Sequence, residues 1–222
     1  MDVSIIIPAY NSEKTIERCL ESCICQRDVS VECIVVDDFS TDNTLILLER
    51  YRGKGNVKIV VHQENKKQGA ARNAAFKNAT GEFVFFVDSD DWIDDNACST
   101  LVKLARENEA DIAVGSYDII YPNRTETVHT YQTAVNFLGT MTKEKRERLL
   151  MEKGYFCSKL YRRSFLEMVF PNGQLFPEGV YYEDSYFNTI TTLRSETIVR
   201  TDHICYHYWQ NSGSTVHKID NQ

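Results

Sequence analysis

Val3-Ser4-Ile5-Ile6-Ile7-Pro8-Ala9-Tyr10-Asn11 decides the fold. A β-branched run closed by proline predicts a buried strand, and Ile16, Cys19, Leu20, Cys23 and Ile24 then share one helical stripe behind the capping candidates Asn11 and Ser12. The unit recurs as strand Val31 to Val36, loop Asp37 to Asp42 and a helix through Leu45 to Tyr51. It returns as strand Val57 to Val61 with helix Gly69 to Ala79, and as strand Glu82 to Val87 with a helix from about Asn96 to Glu107. Four nearly continuous apolar strands, each followed by a helix, predict an α/β fold. Its core is a Rossmann-like, mostly parallel central sheet with helices on both faces. Ligands of such sheets sit beyond the carboxyl ends of the strands.

After about Asp111 the rhythm changes. Ile112 to Val114, Tyr117 to Tyr121, a Pro122-Asn123 turn and an alternating stretch to Tyr131 predict a hairpin. Thr142 to Lys153 and Glu183 to Leu193 are expected helices. With no internal repeat and no linker, one continuous domain is expected: a nucleotide-type half, residues 1–110, and an appended α+β half, residues 111–222.

The chain has 222 residues, 32 acidic against 25 basic side chains and 42% hydrophobic residues, enough to build a core. Its net charge of −7 argues against coating nucleic acid, which requires a surplus of Lys and Arg. An acid at position 2 and the lack of an apolar stretch near ~20 residues predict neither a signal peptide nor a membrane span, hence a cytoplasmic protein. Seven cysteines with no CxxC spacing predict reduced thiols rather than a disulfide or zinc framework.

The loops after the strands carry the chemistry. In an extended chain Asp88 and Asp90 point the same way, so their oxygens can grip one hard divalent cation that keeps waters and shares phosphate oxygens. The plainer alternative is that Asp90, Asp91, Asp94 and Asp95 cap the next helix, but capping needs one acid and not a cluster abutting Phe83 to Val87. Asp37 and Asp38 end a buried strand, where an unpaired carboxylate is costly. One of them is expected to close the following turn, and the other is a candidate acceptor for the N3–H of a pyrimidine such as uracil. Tyr10 offers that base a flat face. Gly69 permits a tight turn into a helix whose Arg72 can meet a base carbonyl or a diphosphate oxygen, although a surface arginine is the commoner explanation. Neither a dinucleotide fingerprint nor a GxxxxGK[ST] loop is present.

Taken in order, Ser4 to Asn11, Val35-Val36-Asp37-Asp38-Phe39-Ser40-Thr41-Asp42-Asn43-Thr44, Gly69-Ala70-Ala71-Arg72-Asn73 and Val87-Asp88-Ser89-Asp90-Asp91 resemble the family 2 inverting glycosyltransferases with the A-type nucleotide-sugar transferase fold. The resemblance covers residues 3 to about 95. It implies that Pro8, Tyr10, Asn11, Asp38, Asn65 and Arg72 surround the nucleotide together with Asp88 and Ser89, that Asp88 and Asp90 hold the metal, and that Mn2+ or Mg2+ bridges the diphosphate. It also implies a catalytic base in an acidic pair downstream, for which Pro177 to Phe187 is the matching segment, with Asp184 taken ahead of Glu183. A helix cap is the competing role for that pair. Tyr206 to Thr215 resembles a family stretch that often has an arginine where this chain has Trp209, which puts a diphosphate contact there in doubt. His207 is carried as a metal or phosphate candidate against a structural role.

The implied activity is metal-dependent transfer of a sugar from a nucleotide sugar, a UDP-sugar by preference, to a hydroxyl of a glycan or lipid-linked acceptor, with inversion, in cell-surface polysaccharide synthesis. Association with the inner face of a membrane would fit such an acceptor. A nucleotidyltransferase and a non-catalytic nucleotide-sugar binding module are the rival readings.

Overall fold

The computed structural model describes residues 1–129, 139–151 and 156–210. The expected ends of the alternating stretch at Tyr131 and of the charged helix at Lys153, and the segment 211–215, lie outside the described residues. In chain order the elements are β1 (Val3–Ala9), α1 (Ile16–Ile24), β2 (Val31–Asp37), α2 (Thr44–Glu49), β3 (Val57–Val61), α3 (Lys67–Phe76), β4 (Phe83–Phe86), β5 (Trp92–Ile93), α4 (Ala97–Glu107), β6 (Ile112–Tyr121), β7 (Arg124–Val128), β8 (Gly139–Thr140), α5 (Lys143–Met151), β9 (Lys159–Arg162), α6 (Arg163–Val169), α7 (Glu183–Arg194) and β10 (Thr197–Trp209).

Their sheet runs β3-β2-β1-β4-β9-β6-β10-β5, with β7 and β8 attached to β6 and β10. The first four strands are parallel, as the repeated strand-helix unit predicts. Every residue of β1 and β4 is buried, which is why these strands lack an alternating pattern. The chain builds outward through β2 and β3, then returns to place β4 on the other side of β1. That reversal opens a crevice between the carboxyl ends of β1 and β4, the place where a ligand site is expected. The appended half joins the same sheet through β9, antiparallel to both β4 and β6, while the long β10 runs parallel to β6. The Pro122-Asn123 hairpin forms as expected, Tyr121 pairing with Arg124. The sequence pattern did not disclose β5, β9 or β10. β5 and β9 are short, and β10 carries register shifts between Arg200 and Tyr206 that break its alternation.

An aromatic cluster locks the halves together: the Phe86 ring on β4 meets Phe176 and Phe187 edge-on at 5.4 Å, and Phe176 stacks on Phe187 at 4.4 Å. Phe187 thereby fixes α7, and Phe176 fixes the strand of chain leading into it. All seven cysteines are unpaired thiols. No helix among the described residues is long and apolar enough to cross a membrane.

Candidate functional site

The loops following β1, β2 and β4 and the start of α7 line one cleft of about 1200 Å³. Pro8, Tyr10, Asn11, Asp38, Asn65, Arg72, Asp88, Ser89, Asp90, Glu183 and Asp184 all border it, so the fold brings together residues spread over 177 positions of sequence. His207 is the exception among the residues singled out. Its ring stacks on Trp92 at 5.2 Å and its Nδ1 lies 3.4 Å from an Asp118 carboxylate oxygen, while Tyr206, Tyr208 and Trp209 border the cleft. Burial holds the His207 imidazole below its usual pKa, against the pull of Asp118 and Asp94.

On the β1–β2 side the loops staple each other. Asn11, in the left-handed region at φ 50°, accepts from the Thr41 backbone N–H at 2.8 Å, and its own N–H donates to Ser40 Oγ at 3.0 Å. Asp37 closes the turn as expected of one member of its pair, accepting from Ser40 N–H at 3.2 Å. Asp38 is 2% exposed, with Oδ1 2.6 Å from His62 Nδ1 and both carboxylate oxygens accepting the Lys66 backbone N–H. Asn65 Nδ2 donates to the Asp38 carbonyl at 3.2 Å. His62 is the partner that the buried Asp38 requires, and the sequence pattern does not disclose it. A histidine one residue beyond a short strand gives no periodic signal.

The acidic cluster after β4 divides its labour. Asp91 is fully buried and takes the Tyr206 hydroxyl at 2.6 Å and the Trp209 backbone N–H at 2.8 Å, pinning the end of β10. Burial, reinforced by Asp90 and Asp88, pushes its carboxyl well above the usual range. None of these acids caps α4, whose N-cap is Asn96 with no side-chain cap bond: Asp94 accepts from Asn96 N–H in the turn before the helix, and Asp95 pairs with Arg27. Asp88 and Asp90 are left bordering the cleft, joined by Ser89, whose hydroxyl lies 2.7 Å from that of Ser12. Burial, and next the neighbouring Asp88 charge, raise the Asp90 carboxyl to about 6.

Arg72 is 1% exposed, so it is no surface arginine. Its guanidinium donates to Asp88 Oδ1 at 2.7 Å, to Glu183 Oε1 at 2.5 Å and to Gln68 at 3.2 Å, and it lies 4.6 Å from the Phe156 ring centroid. Burial works against its charge, but Asp88 and Glu183 outweigh that and raise its pKa. Glu183 is thus the buried partner that ties α7 to α3. Asp184, one residue on and less buried, borders the cleft.

The same helix α3 holds the chain before α7. Asn73 Nδ2 donates to the Phe176 carbonyl at 2.8 Å and its Oδ1 accepts the Phe176 N–H at 3.0 Å. Lys67 Nζ donates to the Gly179 carbonyl at 2.8 Å. Gly69 lies inside α3 rather than in a turn before it, and the close approach explains it: a Cβ there would stand 2.4 Å from the Pro177 carbonyl oxygen.

Among the described residues, no group of three or more His, Cys, Asp and Glu side chains is disposed to hold a metal by itself. The donor set fits a cation completed by ligand oxygens. Among the described residues the bordering carboxylates are Glu13, Asp38, Asp42, Asp88, Asp90, Glu183 and Asp184 and the bordering cations Lys14, Lys67 and Arg72, of which Arg72 is already paired.

The model of glycosyl transferase family 2 matches residues 4–170. EpsH of Bacillus subtilis is 33% identical over 226 residues, covering 97% of this chain and 63% of EpsH. The crystal structure of Staphylococcus aureus TarS 1–349 in complex with UDP-GlcNAc superposes with a TM-score of 0.81 at 30% identity, over 96% of this chain and 60% of that one. TarS is named a poly(ribitol-phosphate) beta-N-acetylglucosaminyltransferase, and 116 residues of it are 42% identical to half of this chain. The chain therefore spans less than two thirds of the length of these relatives.

Proposed function

Because the chain belongs to glycosyl transferase family 2, we propose that it moves a sugar from a nucleoside diphosphate sugar, a UDP-sugar by preference, to a hydroxyl of a saccharide acceptor, with inversion at the anomeric carbon. The observation that carries this reading is the meeting of Asp88, Asp90 and Asp184 on one cleft that Tyr10 and Asp38 also border. The UDP-GlcNAc complex of TarS supports the choice of nucleotide.

Tyr10, 47% exposed, is placed to carry the base on its ring. Asp38, held rigid by His62 and Lys66, presents a fixed acceptor edge beside it. A cleft with more carboxylates than cations repels a diphosphate unless a divalent cation comes with it. Asp88 and Asp90 are the residues that would hold Mn2+ or Mg2+, which would supply charge neutralisation of the leaving diphosphate. Asp184 acts as general base: the acceptor oxygen forms a bond to C1 as the C1–O bond to phosphate breaks, and the hydroxyl proton passes to the Asp184 carboxylate. One displacement inverts the centre once. Glycan or lipid-linked acceptors in cell-surface polysaccharide synthesis fit this reading, as does work at the inner face of a membrane without a spanning helix.

Thermal stabilisation by UDP, GDP, dTDP and CDP, each with Mn2+ and with chelator, tests the donor site, since a ligand of the native state raises the apparent melting temperature. A Mn2+-dependent shift with UDP, abolished in Asp90→Ala, is expected. A shift that persists in chelator or in that variant would contradict the ligand assignment, and release of pyrophosphate from a triphosphate would replace the reading by nucleotidyl transfer.

A further inference from the structure

Val180, Tyr181, Tyr182 and Tyr186 are 45%, 59%, 56% and 48% exposed and bracket Glu183-Asp184. One exposed tyrosine needs no explanation, but Val180, Tyr181 and Tyr182 are three consecutive exposed large side chains. Val180, Tyr181 and Tyr182 border the same cleft as Asp184. The backbone that carries them is held at Phe176 by Asn73, at Gly179 by Lys67 and at Glu183 by Arg72, so the rings stand on a fixed frame.

Tyr182 adds a second observation. It sits in the left-handed region at φ 61°, ψ 32°, an uncommon place for a bulky side chain, where glycine would rest without strain. The tyrosine side chain, not the backbone, is what the position gains.

A tyrosine ring offers a flat apolar face with a polar tip. The matching shape is a pyranose, which has a C–H face and hydroxyls around its edge. The charges select against an anionic ligand: Asp184 borders the cleft beside these rings, and Lys67, which borders it too, is engaged by the Gly179 carbonyl and lies 4.2 Å from the Tyr181 ring centroid. We propose that Tyr181 and Tyr182 form an acceptor subsite that takes the ring of a neutral saccharide and offers one of its hydroxyls to Asp184. The inference rests on the glycosyltransferase reading and narrows its acceptor to an uncharged sugar rather than a polyol phosphate.

Saturation-transfer NMR on the chain with UDP and Mg2+ tests it, using cellobiose, lactose and chitobiose as neutral probes and ribitol 5-phosphate as the anionic one. At least one neutral disaccharide receives saturation and ribitol 5-phosphate does not, and Tyr181→Ala weakens the saccharide by about tenfold while UDP still binds. Tyr182→Gly raises the melting temperature by relieving the left-handed strain yet weakens the saccharide, whereas a purely structural tyrosine would lose stability on replacement. Silence from every neutral probe, a signal indifferent to the tyrosines, or preference for ribitol 5-phosphate overturns the subsite. Failure of UDP itself to bind the parent chain strikes the glycosyltransferase reading instead, and UDP resonances in the same spectra tell the two failures apart.

Discussion

The two walls of the cleft are held in different ways. The nucleotide-side wall is made of loops that follow apolar strands, and its ties are to loops of neighbouring strands: Asn11 to Thr41, Asp38 to His62 and Lys66. The α7-side wall hangs on α3 through contacts across more than a hundred residues, Asn73 to Phe176, Lys67 to Gly179 and Arg72 to Glu183. Of these ties, the one at Arg72 reaches both walls, because its other branch holds Asp88. The lesson is that one wall of the cleft is built locally at strand ends, whereas the other, which carries the proposed base Asp184, depends on one buried helix.

Breaking that shared tie should have the largest effect. Arg72→Met leaves Asp88 and Glu183 without their partner, and urea unfolding is expected to show a loss of ~3–5 kcal/mol, the cost of stranding buried charge. A loss below ~1 kcal/mol would mean the pair is solvated and the two walls are independent. Gly69→Ala strikes the α7-side wall alone. Its Cβ must displace the Pro177 carbonyl, an overpacking cost of ~1–3 kcal/mol, with donor hydrolysis impaired more than UDP affinity.

His62→Ala is the converse. It strips Asp38 of a buried partner at ~1–3 kcal/mol and should weaken UDP in calorimetry, with no change in the rate of sugar transfer at saturating donor. A rate effect there would erase the distinction between the walls.

The smallest effect lies below the site, where Glu32 joins Ser4, Thr80 and Lys58 under β1 and β2. Burial works to raise its carboxyl, but the bonds from Lys58, Ser4 and Thr80 prevail and depress it from 4.5 to about 2. Its contribution to stability is therefore complete above pH 4.5 and is lost as pH falls toward 2. Glu32→Gln should flatten the acid limb of the stability curve over that window and leave UDP binding untouched.

The parallel block and the loops that border the cleft were legible because each apolar run ends in a turn bearing cleft residues, as Ile7 leads to Pro8 and Tyr10, and Val87 to Asp88. The roles inside the acidic cluster were not, since five neighbouring aspartates look alike until Tyr206 and Trp209 claim Asp91. Arg72 and Glu183 were both selected as functional, yet their pairing was hidden, because nothing local relates residues 111 apart. His207 failed to join the cleft for a similar reason: its surroundings are set by Trp92 and Asp118, which sequence spacing does not bring near it.

The most direct test of the account compares the parent chain with Asp184→Asn, measuring UDP affinity by calorimetry with Mn2+ and release of UDP from UDP-GlcNAc and other UDP-sugars. Unchanged affinity with release slowed by about 10²–10⁴-fold is predicted, the span expected for loss of a general base. Equal release by both proteins would contradict the assignment of Asp184, and with it the division of the cleft into a wall that binds and a wall that reacts.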